Sequence, residues 1–485
     1  MKLILQGHSE RYTVYESIQS YLPRIKAEIS DAIPEAQDYV LSRLRREGEN
    51  YIYDTVICYN GVKREYSLSR PDYCKHYFKQ SFEHIAPEVF GISLPWGALT
   101  GIRPAKIARN YMAEGNDDAQ THQHLVSYYH TSPQKAELAI EVAKAEGRII
   151  SNMKKDAVSL YIGIPFCPTR CLYCSFTSQS VAFSNKLVEP YLEALHKEIE
   201  HTSQLLKQFG LSVETVYMGG GTPTALTASQ MDQLLCKLYE HFDLSGIREF
   251  TIEAGRPDTI DPEKLRVIRN HGVKRISINP QTMNENTLRL IGRRHTPQQV
   301  LDCFALAREE GFSHINMDLI AGLPSESPED FSRTLDAIIP LQPESITIHT
   351  MCIKRSSYLA EQYDMFSISS ANAVEAMLTE GRTRLKEAGM SPYYMYRQKN
   401  MLGNLENVGY CIPEHECLYN VYIMEEVQSI VALGAGGSTK TVANDLIERS
   451  FNVKEVSEYI KRIDEMCQRK ENILSKWIET QKSIR

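Results

Sequence analysis

The chain has 485 residues, 42% of them hydrophobic and 24% charged, a globular composition long enough for two or three domains with substantial cores. Its formal net charge of -7 excludes a global basic field that would attract nucleic acid or an anionic membrane, so any anionic ligand must be met locally. Eleven cysteines, an odd number, together with the lack of a signal-like or membrane-length apolar run, exclude a secreted disulfide framework and predict a cytoplasmic protein with reduced thiols.

From the N-terminus, YIYDTVICYNGVKREYSL at 51–68 alternates on both sides of Asn60-Gly61. That dipeptide suits a two-residue type I′ turn, and the pattern predicts a β-hairpin. Helical spacing follows in 74–90, 103–115 and 133–150. Residues 1–150 are therefore expected to form a small α+β domain, with the polar SNMKKDA at 151–157 as its linker.

From Val158 six β-rich runs alternate with longer amphipathic segments: VSLYIGIP, ETVYMGGG, EFTIEAG, KRISINP, HINMDLIAG and ESITIHTM. This rhythm implies right-handed βαβ units and a parallel sheet. Residues of unusual chemistry end each run: the cysteine loop, Gly219 to Thr222, Glu253, Gln281, Asp318 and His349. Sites in such folds form at the carboxyl ends of strands, so these residues should converge on one rim. Six units fall short of a closed eight-unit barrel. The expected fold is α/β, an open, partial parallel β/α barrel over 158–355, preceded by the α+β domain and followed by a mainly helical region, 356–485, that could cover a substrate.

Cys167, Cys171 and Cys174 follow the first of these strands with C-x3-C-x2-C spacing. Core packing alone does not account for three thiols in a loop flanked by Pro165, Pro168 and Arg170. A redox pair of Cys171 and Cys174 would leave Cys167 idle, and a structural zinc would need a fourth ligand such as Cys411, Cys417 or a histidine. An iron-sulfur cluster on three thiolates leaves one iron open to a small molecule.

The triad, with Tyr173 just before the third cysteine, resembles the radical S-adenosylmethionine (SAM) superfamily. The resemblance implies a 4Fe-4S cluster on Cys167, Cys171 and Cys174, an open iron chelated by the amino and carboxylate groups of SAM, and reductive cleavage of SAM to a 5′-deoxyadenosyl radical. GGGTPT at 219–224 resembles the segment that receives the methionine amino group, which assigns Gly220, Gly221 and Thr222 to SAM. Tyr161, Tyr173, Glu253, Gln281, Arg293 and Asp318 match other SAM-contacting positions. Arg293 suits the SAM carboxylate, and Gln281 and Asp318 suit ribose hydroxyls. Tyr161, beside cluster and SAM in the family, is the one residue assigned a catalytic role.

IPFC-x3-C-x2-C, GGGTPT, Q-x7-R-x3-R and NMDLIAGLP narrow the resemblance to the oxygen-independent coproporphyrinogen III oxidase family over about 158–355. LPWGALTGIRPAKIA at 94–108 and YYMYRQKNMLGN at 393–404 resemble its longer branch, coproporphyrinogen dehydrogenase of the HemZ type. The implied activity is oxidative decarboxylation of two propionates of coproporphyrinogen III to vinyl groups in heme biosynthesis, giving protoporphyrinogen IX. The implied partners are the tetrapyrrole and an electron donor of flavodoxin or ferredoxin type. Tyr396, Arg397 and Lys399 offer charge beside flat aromatic surface for the substrate's carboxylates. Two positions depart from the established oxidases: Phe176 replaces a fourth cysteine, and Gly163 replaces a histidine. Related members with Phe at the first of these include heme chaperones. The alternatives are thus a heme chaperone, with His349 as a candidate axial ligand, or another radical SAM enzyme on a tetrapyrrole.

Overall fold

The computed structural model describes residues 1–484 except 24, 35–36, 102, 176–178, 355, 363–364, 399–400 and 445, and of residues 179–184 and 484 the backbone only. It contains two compact units, Met1–Lys144 with Met395–Glu406, and Ala145–Tyr394 with Asn407–Arg485.

In the first unit β1 (Lys2–Gln6), β2 (Glu28–Ile29), β3 (Tyr39–Glu47), β4 (Asn50–Tyr59) and β5 (Val62–Arg70) form a sheet in the order β2-β1-β3-β4-β5. The predicted hairpin is β4-β5. Tyr59 pairs with Val62, and Asn60 and Gly61 have φ of 48° and 79°, as a type I′ turn requires. Helices Arg11–Tyr21 and His76–Phe90 pack here, burying Leu3, Val14, Ile18, Tyr53, Phe78 and Phe82. The helices expected at 103–115 and 133–150 are Pro104–Ala113 and Pro133–Ser151. A further helix, Asp118–Tyr129, has little apolar periodicity; a capping box between Asp117 and Gln120 starts it. The first unit's longer segment ends at Lys144, within the helix Pro133–Ser151, whose Ala145 and Ile149 are buried, whereas the linker was expected at 151–157.

The second unit contains β6 (Ala157–Ile164), the paired short strands β7 (Phe166–Cys167) and β8 (Gln179–Ser180), β9 (Ser212–Gly220), β10 (Glu249–Glu253), β11 (Arg275–Ser277), β12 (His314–Ala321) and β13 (Ser345–Thr350). The six predicted runs are β6 and β9 to β13, and they lie parallel in the order β13-β12-β11-β10-β9-β6. Helices follow most of them. Those at Ala228–His241, Pro297–Glu309 and Pro328–Ile338 start from capping boxes on Thr227, Thr296 and Ser327. Buried Ile162, Met218, Ile276, Met317 and Ile348 explain why these strands read as apolar runs.

The sheet does not close. β14 (Ser391–Tyr396) and β15 (Asn407–Cys411) extend it beyond β13, while β16 (Ile430–Leu433), β17 (Ser438–Ala443) and β18 (Leu446–Phe451) extend it beyond β6. The C-terminal region is mainly helical, as expected, with Ala371–Glu387 and Ile463–Ile484 its longest helices. Its strands are short and, in β17 and β18, rich in polar residues, which leaves little periodicity to detect. Among the described residues no helix is long and apolar enough to cross a membrane.

Candidate active site

The cysteine loop leaves β6 at Ile164 and is tied to its surroundings through its backbone. Leu172 N–H donates to Ile291 O at 3.0 Å, and the Thr169 hydroxyl donates to Gly292 O at 2.8 Å. Arg256, 3% exposed, clamps the loop from the end of β10: it donates to Thr169 O at 3.3 Å, to Thr169 Oγ1 at 3.1 Å and to the Cys171 sulfur at 3.8 Å. Asp258 holds the same guanidinium at 2.9 and 2.8 Å. Cys171 is buried, and Cys167 and Cys174 are half-buried.

Three thiolates on one loop suit a multi-iron cluster that leaves one iron open, whereas a structural zinc needs a fourth ligand. Among the described residues, the one trio of ligand atoms all within 4.8 Å of one another is Asp232, Cys236 and His271, away from this loop.

Gly219 to Thr222 close the other side. Gly221 N–H donates to Ile164 O at 2.7 Å, and a Cβ on Gly221 would lie 2.5 Å from Phe166 O. Gly220 has φ of 112°, which glycine alone adopts freely. The Thr222 hydroxyl lies 3.5 Å from the Cys167 sulfur.

Along the carboxyl ends of β9, β10, β12 and β13 runs a polar row. Tyr217 donates its hydroxyl to Glu253 Oε1 at 2.6 Å, Asn316 donates to Asp318 Oδ1 at 2.8 Å, and His349 Nε2 lies 3.7 Å from Asp318 Oδ2. Burial and the charge of Asp318 push the Glu253 carboxyl up to about 7, against the Tyr217 bond and His349. For Asp318 burial acts upward too, but His349, Asn316 and Thr347 prevail and hold it below its ordinary value. Tyr161 and Tyr217 are register partners on adjacent strands. Their rings stack at 6.4 Å, and Tyr419 stacks on Tyr217 at 4.6 Å, giving one aromatic wall beside Glu253.

Gln281 has φ of 69°, a strained value for a residue with a side chain, fixed by Gln281 N–H to Asp318 O and Ile320 N–H to Gln281 O, both 2.9 Å. Its Oε1 is buried without a hydrogen-bond partner among the described residues, as an acceptor awaiting a ligand hydroxyl would be. Arg293 is buried against Tyr173 and Cys171 and donates to Asn279 O. It therefore braces the cysteine loop as well as offering charge.

The fold thus gathers Tyr161, Tyr173, the glycines, Thr222, Glu253, Gln281, Arg293 and Asp318 in the second unit with the cysteines. Tyr396 and Arg397 belong to the first unit, where Arg397 is buried over the Trp96 ring. Phe176 and Lys399 lie outside the described residues. Sequence reasoning missed Arg256, Tyr217 and Tyr419. The first two stand in or just after runs read as strands, and the pairing of Tyr217 with Tyr161 follows from strand order, but Tyr419 comes from a distant helix with no local signal.

Residues 161–338 match the radical SAM superfamily. The chain is 38% identical, over 92% of its own length and 92% of the relative's, to the oxygen-independent coproporphyrinogen-III oxidase-like protein HemZ of Bacillus subtilis. It is 29% identical to the heme chaperone HemW of Lactococcus lactis over 66% of this chain and 78% of that one. Its fold matches the coproporphyrinogen III oxidase HemN of Escherichia coli, a radical SAM enzyme, with a TM-score of 0.53 and 26% identity over 67% of this chain and 73% of that one.

Proposed function

We propose that this chain, which belongs to the radical SAM superfamily and within it to the HemZ-type oxygen-independent coproporphyrinogen-III oxidase-like proteins, oxidatively decarboxylates two propionates of coproporphyrinogen III, giving protoporphyrinogen IX. The observation that carries the reading is likeness to the HemZ relative along almost the whole chain, including 94–108 and 393–404, and not along the radical SAM core alone.

The cofactors are a 4Fe-4S cluster and SAM, which when bound supply a 5′-deoxyadenosyl radical by reductive cleavage. In this reading Cys167, Cys171 and Cys174 hold the cluster, and Arg256 and Arg293 offset its negative charge. Gly220 and Gly221 let the methionine end approach the backbone, with Thr222 beside it. Gln281 and Asp318 take ribose hydroxyls, while Glu253, Tyr173 and Tyr161 line the rest. The Tyr161, Tyr217 and Tyr419 wall keeps water from the reacting carbon. A hydrogen atom would pass from the propionate β-carbon to the deoxyadenosyl carbon; CO2 would then leave, one electron would pass to an external one-electron acceptor, and a vinyl group would remain. A flavodoxin- or ferredoxin-type protein supplies the reducing electron.

The likeness to a heme chaperone, with Gly163 in place of a histidine, favours a second reading, heme binding without turnover. Anaerobic incubation of the cluster-loaded protein with dithionite, SAM and coproporphyrinogen III, followed by mass spectrometry of the porphyrins, separates the two. Stepwise conversion of two propionates to vinyls supports the enzyme. Unchanged substrate with tight heme binding supports the chaperone.

A further inference from the structure

The first unit carries an open pocket of about 490 Å³, within the range of small-molecule sites, lined entirely by residues of that unit. Its walls include Tyr12, Ile107, Tyr129 and Met401, with Thr100 and Gly101 from the 94–108 motif and Arg397, Gln398 and Asn404 from the 393–404 motif. Two sequence signals almost 300 residues apart therefore meet at one hole.

Among the described residues lining the hole, Lys79 and Arg397 face one carboxylate, Glu16. Lys79 pairs with Glu16 at 2.7 Å, and Lys135 pairs with Glu406 at 2.6 Å. His76 is neutral, since burial brings it down to about 4. Arg397 is the other lining cation among the described residues. It is 3% exposed and donates only to carbonyl oxygens, of Leu99, Gly101 and Asn404, and its Nη2 has no hydrogen-bond partner among the described residues. Burial brings its guanidinium down to about 10, with Glu406 and Glu16 acting against this from beyond ion-pairing distance, so it stays charged at neutral pH. Among the described residues Arg397 makes no ion pair and, besides those carbonyls, only stacks over the Trp96 ring, so an anion bound beside it would be stabilised.

We propose that this cavity is a carboxylate pocket, in which Arg397 receives one propionate arm of the tetrapyrrole and the aromatic and apolar walls pack its pyrrole. This rests on the tetrapyrrole reading above and gives the first unit a substrate-holding role.

The test is fluorescence titration of the full-length, cluster-loaded chain with coproporphyrin III, and with its tetramethyl ester, which lacks charged carboxylates. Arg397→Gln should weaken binding of the acid about tenfold or more, the worth of one charge-assisted hydrogen bond, and leave the ester unaffected. Arg397→Lys should recover part of the loss. Should Arg397→Gln fail to fold, Ser20→Phe, which fills the cavity from a surface helix without altering a charge, should weaken the acid to a similar degree. Full affinity in either folded variant overturns the pocket and leaves the tetrapyrrole reading standing. No binding of coproporphyrin III by the unsubstituted chain overturns both.

Discussion

Arg256 donates to the sulfur of Cys171 at 3.8 Å while its other nitrogens grip Asp258. A fixed positive charge against a cluster thiolate favours the more negative, reduced state, so it raises the reduction potential. Arg256→Gln should lower the potential by on the order of 60 mV, a tenfold change for a one-electron couple. An EPR-monitored redox titration checks this; an unchanged potential in a fully loaded variant would show that Arg256 only shapes the loop.

Glu253 reports on site electrostatics without any ligand. Its folded value of about 7 lies above its ordinary 4.5, so the folded chain keeps a proton that the unfolded chain has already released. Stability from this group is present below about 4.5 and is lost as pH rises toward 7. Glu253→Gln cannot ionise. In SAM-free protein its melting temperature should gain on that of the unsubstituted chain between pH 5 and pH 8, and a constant difference would contradict the assignment.

Two glycines at the site differ in what they tolerate. A Cβ on Gly221 meets Phe166 O at 2.5 Å, whereas one on Gly163 meets its nearest neighbours, Leu433 O and the Tyr161 ring, at 3.4 Å, an ordinary contact. Gly221→Ala should push the cysteine loop aside, lose iron and destabilise the fold by about 1–3 kcal/mol. Gly163→Ala should keep its iron. Iron content and melting curves measure both.

The return of the C-terminal region to the barrel depends on a buried pair. Glu198 and Lys470, 0% and 1% exposed, lie 2.7 Å apart, and Glu198 also accepts from Gly434 N–H, Tyr459 and Asn452. Lys470→Met leaves the carboxylate unpaired and should cost about 3–5 kcal/mol in denaturant unfolding. Because Gly434 packs against Gly163, the same variant should loosen the end of β6 and accelerate hydrogen exchange there.

All six parallel strands were legible because buried parallel strands are short apolar runs with chemistry at one end, and that chemistry made most of the candidate site legible too. The hairpin was legible from Asn60-Gly61 and the alternation on either side of it. What escaped depends on long-range packing. Tyr419 and the return of residues 395–406 to the first unit have no periodicity to announce them, and no local pattern encodes the carbonyl oxygens of Leu99, Gly101 and Asn404 to which Arg397 donates. Arg256 directly follows the run EFTIEAG but reads as surface charge until the cysteine loop is folded over it.

If this chain decarboxylates coproporphyrinogen III, the radical made at this site takes hydrogen from a propionate β-carbon. Coproporphyrinogen III carrying deuterium at those carbons tests it most directly, through the mass of the 5′-deoxyadenosine formed in anaerobic turnover. The account predicts one deuterium in that product, with vinyl groups appearing in the porphyrin. Unlabelled 5′-deoxyadenosine with the tetrapyrrole recovered intact would contradict it.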